Sequence, residues 1–275
     1  MAEAKLPELD YDKLEIGEEL GTYEYLLTQE ILDSFRASVE DPDAVFPTIG
    51  VKHDATALAM CYEDNIGGVN AGNEMEFHNP PIPGKKITVT GRVHDKYLRR
   101  DKPYLVIEAT AIDEDGRLLE KMRTYQMKKP DEVGKKMASA ELNNTTIPSV
   151  TKSITQVKIN QFESCGILER ENIHNSPELA QRRLGTTYTL ASGRMSVAFA
   201  SESLRKFFGA DVFNHTGTVN LKFLRPVKEG DTITVGGSVN SRQEVENGTM
   251  VIVDLYCENQ NGDKTAIGQG TAIVS

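Results

Sequence analysis

Apolar and polar residues change period along this chain in a way that separates strands from helices. Residues 87–93, 104–110 and 123–127 alternate or run apolar over stretches of five to seven, the signature of half-buried and buried strands. Residues 232–239, 250–256 and 268–274 have the same pattern. Turn signals at Glu114-Asp115-Gly116 and Gln260-Asn261-Gly262 join strands as hairpins. Between these groups lies a different rhythm. Over residues 192–208, Met195, Ala198, Phe199, Leu204 and Phe208 recur at helical spacing, and Gly209 stands where a C-terminal cap is wanted. Residues 55–63 form a shorter helical counterpart earlier in the chain. An apolar helix followed by an antiparallel meander predicts an α+β unit, a sheet wrapped around a helix.

The unit occurs twice. Phe77, Pro80, Gly84, Ile87, Thr88, Val89, Gly91 and Val93 return 146 positions later as Phe223, Pro226, Gly230, Ile233, Thr234, Val235, Gly237 and Val239. That is eight identities in seventeen positions, where roughly one is expected from average residue usage. The offset then holds without a gap to Gly116 and Gly262, so one structural unit is used twice. The predicted division is a first unit over residues 1–129, a polar linker over 130–149 containing Asn143, Asn144 and Pro148, and a second unit over 150–275. The two are expected to pack on each other as an internal pseudo-dimer. Residues 150–275 alone should then aggregate or self-dimerise, and no motif bears on a further homodimer of whole chains.

Composition narrows the function classes. The 275 residues carry 31 basic and 41 acidic side chains, a net charge of −10, which argues against nucleic acid as the main partner. Cys61, Cys165 and Cys257 are too few and too scattered for a disulfide framework, are expected to be buried reduced thiols, and form no C-x-x-C zinc pattern. No metal and no cofactor is expected. The acidic start has no apolar core of a signal peptide, and no apolar run approaches 18 residues, so a cytoplasmic protein without a membrane span is expected.

Chemistry is sought where the copies differ, because loops on a fixed scaffold concentrate function. Aligning Phe35 with Phe162 gives an offset of 127, and aligning Lys52 with Ser192 gives 140, so the second copy holds 13 extra residues before its helix. That insertion includes Glu169-Arg-Glu-Asn-Ile-His174-Asn-Ser-Pro-Glu-Leu-Ala180. A second insertion covers residues 209–215, where a turn-forming role is expected for Asn214 and His215. His53-Asp54 in the first copy mimics a dyad by adjacency alone.

The second copy resembles the MaoC-like family of (R)-specific enoyl-CoA hydratases and 3-hydroxyacyl-CoA dehydratases, which have the hotdog fold. His174 takes the place of the histidine in that family's D-x-N-P-x-H segment. Asn175-Ser-Pro177-Glu-Leu-Ala180 follows it, Ser192-Gly193 marks the helix start, and Phe223-Leu-Arg-Pro-Val-Lys-Glu-Gly-Asp231 matches the strand entry. The family's aspartate is Glu169 here, and its N-P pair is Glu171-Asn172. The resemblance implies two tandem hotdog units, a degenerate first one accommodating the acyl group and a catalytic second one. It implies an acyl-CoA thioester as substrate, with Glu169 and His174 sharing one water. The Gly193 N–H and Ser192, at the helix start, would serve the thioester oxygen, and Glu171 stands as a competing carboxylate. Arg225 and Lys222 are candidates for contact with coenzyme A phosphates. Two other readings fit the same pattern: a hotdog thioesterase with Glu169 activating water, and a non-catalytic subunit that binds acyl-CoA or a partner enzyme.

Overall fold

The computed structural model describes residues 6–63, 68–99, 101–128, 145–165 and 171–275. In chain order the elements are β1 (Glu19–Leu26), α1 (Gln29–Val39), α2 (Thr48–Val51), α3 (His53–Cys61), β2 (Gly68–Phe77), β3 (Lys86–Arg99), β4 (Lys102–Asp113) and β5 (Leu118–Lys128). The second half begins with β6 (Val150–Ser153), α4 (Gln156–Glu163), α5 (Pro177–Leu184) and α6 (Gly193–Phe208). It closes with α7 (Ala210–Thr216), β7 (Thr218–Phe223), β8 (Thr232–Val245), β9 (Gly248–Glu258) and β10 (Lys264–Val274).

The ten strands of the described residues form one antiparallel sheet in the order β1-β3-β4-β5-β2-β7-β10-β9-β8-β6. Read outward from its centre, the sheet has the same succession on both sides: β2-β5-β4-β3-β1 and β7-β10-β9-β8-β6. The two units therefore meet edge to edge through β2 and β7, each covering the strand edge the other would expose.

Register fixes where the pseudo-twofold axis passes. Glu74 lies opposite Asn220, and these are repeat equivalents, 146 residues apart. Gly72↔Lys222 and Glu76↔Thr218 flank them symmetrically. Two further pairs of equivalents also meet. The rings of Phe35 and Phe162, 127 apart, sit 6.0 Å centroid to centroid. Asp54 and Arg194, 140 apart, form a buried ion pair. Residues contact their own counterparts only on a symmetry axis, so this is an internal pseudo-dimer with an isologous interface.

Local sequence explains most helix ends. Thr28 and Thr155 are equivalent N-caps, accepting from the N–H of Ile31 and Lys158 at 3.3 Å. Ser176 caps α5 with Pro177 in its first turn. Gly209, at φ +87°, ends α6, the helix around which the second sheet half wraps. On α6, Met195, Phe199 and Leu204 are buried with Phe35 and Phe162 in a core shared by both units. Each such side chain contributes about 1.5–3 kcal/mol by leaving water. A second core, around Leu58, Ile87, Ile107 and Leu119, belongs to the first unit alone.

Two expectations need correction. Residues 209–215 are not a turn: Asn214 and His215 lie in α7, a helix the sequence pattern did not reveal because it spans only two turns. Cys165 and Cys257 are buried, but Cys61 is half-exposed near the end of α3. The helix expected over 55–63 is α3, starting two residues earlier; a single turn, α2, precedes it, separated by Lys52 in a left-handed conformation with φ +58°. Of the linker, only its final residues are described; there the Ile147 N–H donates to the Gly237 carbonyl on β8.

Candidate active site

His174 sits in a compact polar turn between α4 and α5. The Asn172 side-chain oxygen accepts the His174 N–H at 2.8 Å, and the Asn175 side chain accepts the Asn172 N–H at 2.8 Å. Asn and Asp side chains stabilise such turns by substituting for backbone acceptors. Gln156, at the start of α4, donates to the His174 carbonyl at 3.0 Å and accepts from Thr189. The turn is thus tied to the segment that leads into α6.

The half-buried imidazole has a defined polarity. Its Nδ1 lies 2.7 Å from the Leu190 carbonyl. A carbonyl only accepts, so Nδ1 carries the proton and Nε2 of the neutral ring keeps a free lone pair. Burial pushes the His174 pKa below its usual range; the Glu163 carboxylate works against this, while Lys52 and Arg194 work with it. The result is a neutral imidazole at neutral pH, the state required of a base.

Leu190 lies three residues before Gly193, the first residue of α6. Opening N–H groups of a helix have no partner within it, and Ser192, buried at the N-cap, makes no side-chain capping bond. The positive end of a buried helix is therefore placed beside His174. Gly193 also has a packing reason: a Cβ there would meet the Phe223 ring at 2.5 Å. The equivalent position in the first unit is His53. Its ring is fully buried, 3.1 Å from both Glu120 Oε1 and the Tyr25 hydroxyl. The space at the first helix start is thus filled by a polar cluster. His53 and Asp54 face different partners, Glu120 and Arg194, and form no dyad.

A carboxylate that sequence reasoning missed belongs to this neighbourhood. Glu163 ends α4, its side chain 2 % exposed, and its Oε2 accepts from Lys52 and, at 3.0 Å, from the Asn172 side-chain amide. Burial opposes its ionisation. A protonated His174, then Lys52 and Arg194, outweigh that and hold its pKa below the ordinary range. Lys52 comes from the α2–α3 junction of the first unit, so both units contribute to the cluster. One sequence signal could have pointed to Glu163: its repeat equivalent is Arg36, a reversal of charge at a matched position.

The remaining candidates are dispersed. Glu169 lies outside the described residues. Glu171 is exposed and accepts from the Ser176 hydroxyl at the start of α5. Lys222 is exposed on β7 opposite Gly72, and Arg225 is half-buried at the strand exit. Among the described residues, no hydrogen bond or ion pair joins either to His174 or Glu163. No group of three metal-ligating side chains, and no helix long and apolar enough to cross a membrane, occurs among the described residues.

Known structures share this architecture. A MaoC-like dehydratase from Phytophthora capsici is similar at TM-score 0.71 and 15 % identity, over 97 % of this chain and 98 % of that one. The full-length peroxisomal multifunctional enzyme type 2 of Drosophila melanogaster is similar at TM-score 0.68 and 15 % identity, over 93 % of this chain and 48 % of that one. A Mycobacterium tuberculosis protein described as having a double hotdog fold aligns at TM-score 0.64 and 11 % identity, over 97 % of this chain and 98 % of that one. No protein-family model and no curated protein matches the sequence. The chain has the double-hotdog fold that MaoC-like dehydratases have.

Proposed function

We propose that this protein is a hydro-lyase acting on acyl-CoA thioesters, adding water to an enoyl-CoA or removing it from a 3-hydroxyacyl-CoA. The observation that carries this reading is the Nδ1–Leu190 bond, which leaves His174 Nε2 as a base beside the N-terminus of α6. In hydration, His174 takes a proton from water as its oxygen bonds to Cβ. The electron pair of the Cα=Cβ bond moves toward the thioester oxygen, where the Gly193 N–H and the helix dipole stabilise it. The imidazolium then gives up that proton to Cα, which completes the addition of one water and returns His174 to its neutral state. Glu169 shares the attacking water in this scheme, and Ser192 lies with Gly193 against the thioester. Arg225 and Lys222 would meet coenzyme A phosphates, and the first unit would accommodate the acyl group. The fold shared with MaoC-like dehydratases supports the same reaction class.

The test is product analysis with a 2-enoyl-CoA. Hydration adds the mass of one water and leaves the thioester intact; release of free coenzyme A thiol would mean a thioesterase instead. His174→Ala and Glu169→Gln should each lower turnover by about two to four decades, with the double variant little worse than the poorer single. Binding of acyl-CoA with no turnover of either enoyl or hydroxyacyl thioester would overturn the proposal in favour of a binding subunit.

A further inference from the structure

Glu163 and Lys52 both occupy places that local energetics disfavour. Glu163 puts a carboxylate at the C-terminus of α4, where the helix dipole favours a cation, and buries it. Lys52 holds a left-handed backbone at φ +58°, a conformation that residues with a Cβ rarely adopt. They are 111 residues apart in sequence and come from different units, yet they converge beside the turn that carries His174.

We propose that Glu163, held by Lys52 across the pseudo-twofold axis, is the positioning carboxylate of His174: it fixes the Asn172 turn and stabilises the imidazolium formed when His174 accepts a proton. This rests on the reading of His174 as the base. Three observations support it. Glu163 Oε2 bonds Asn172, whose other end holds the His174 N–H, so one side chain connects carboxylate and histidine backbone. Glu163 Oε1 is buried without a hydrogen-bond partner among the described residues, which leaves one carboxylate oxygen uncommitted. The first unit, which has no counterpart of the His174 turn, has Arg36 at the matching position.

The ionisable groups around Glu163 are His174 on its turn, Lys52 at the α2–α3 junction, Arg194 on α6 and Cys165 just beyond α4. Burial pushes the Cys165 thiol up to about 11, so it stays neutral through the working range. Glu163 is therefore the negative charge of this group. It raises the basicity of His174, which burial and the two cations lower.

The experiment is a nuclear magnetic resonance titration of the His174 ring in the whole protein, with His174→Ala identifying the signal. In Glu163→Gln, His174 should titrate about one pH unit lower, as expected for loss of a nearby opposite charge. The single variant leaves Lys52 buried and unpaired and could unfold, so Lys52→Asn/Glu163→Gln serves beside it; asparagine tolerates the left-handed backbone. The double variant should move the titration the same way but less, because Lys52 opposes Glu163. A His174 titration unchanged in both variants would overturn the proposal and leave a purely structural ion pair. With enoyl-CoA, Glu163→Gln should lower kcat by about one to two decades, change KM little, and move the acidic limb of the pH profile by the same shift as the ring titration. If the parent protein hydrates enoyl-CoA but the titration does not move, this inference fails and the proposed function stands. If the titration moves but no thioester is hydrated, the proposed function fails and the pair is still shown to tune His174.

Discussion

Removing Asp54 should destabilise the whole molecule, because it strands a guanidinium on the pseudo-twofold axis. Asp54 is fully buried, and the Arg194 side chain is 6 % exposed. Arg194 Nη2 donates to Asp54 Oδ1 and, at 3.2 Å, to the Thr124 hydroxyl, which in turn accepts from Asn73. Arg194 Nε and Asp54 Oδ2 have no hydrogen-bond partner among the described residues. After Asp54→Ala the buried guanidinium keeps, among the described residues, only its bond to Thr124. Breaking a buried pair in this way costs about 3–5 kcal/mol, out of a total stability of about 5–15 kcal/mol. For a chain of this size that corresponds to a fall in Tm of roughly 5–9 °C. Replacing both partners should cost far less than the sum, because Asp54→Ala/Arg194→Met leaves no unpaired charge. The assay is urea unfolding followed by far-ultraviolet circular dichroism for the parent, both single variants and the double. A single-variant loss below about 1 kcal/mol, or additive losses in the double, would refute the idea that this pair is buried and coupled.

Other outcomes follow from the same geometry. Gly193→Ala should lower stability by about 1–3 kcal/mol by forcing Cβ against the Phe223 ring; Phe223→Leu should restore part of it, and an unchanged Tm would contradict the packing. Residues 150–275 expressed alone should aggregate rather than form a firm dimer, since Arg194 would face its own copy on the axis instead of Asp54. Light scattering should show more dimer for that fragment with Arg194→Asn, and a tight dimer of the unmodified fragment would contradict this. Stability should also fall on acidification in two windows. His174 has a folded pKa below its ordinary 6.5, so the unfolded chain takes up that proton first and stability drops as pH falls from about 6.5. Glu163 is depressed below its ordinary 4.5, so its contribution, present above that value, is lost as pH falls further. Thermal melts from pH 7.5 down to about 2 should show both declines, and His174→Gln should abolish the upper one.

What the sequence determined by itself is the part of this protein that depends on neighbours along the chain. The repeat, the strand and helix types, the hairpin glycines and the cap at Gly209 follow from local periodicity and backbone preference, which act over a few residues. The resemblance of the His174 segment and of the strand entry at Phe223 was likewise legible, because each motif is contiguous. Short helices such as α2 and α7 were not legible, since two turns or fewer give too few positions for a period to appear. The cluster around His174 was out of reach for a different reason. Lys52 and Glu163 are 111 residues apart, Asp54 and Arg194 are 140 apart, and nothing in either local pattern says that they meet. A buried charge is tolerable only when its partner arrives from elsewhere in space, and here the pseudo-twofold packing of the two units decides which charges meet. The sequence named a histidine; only the tertiary structure supplied the carboxylate and the lysine that surround it.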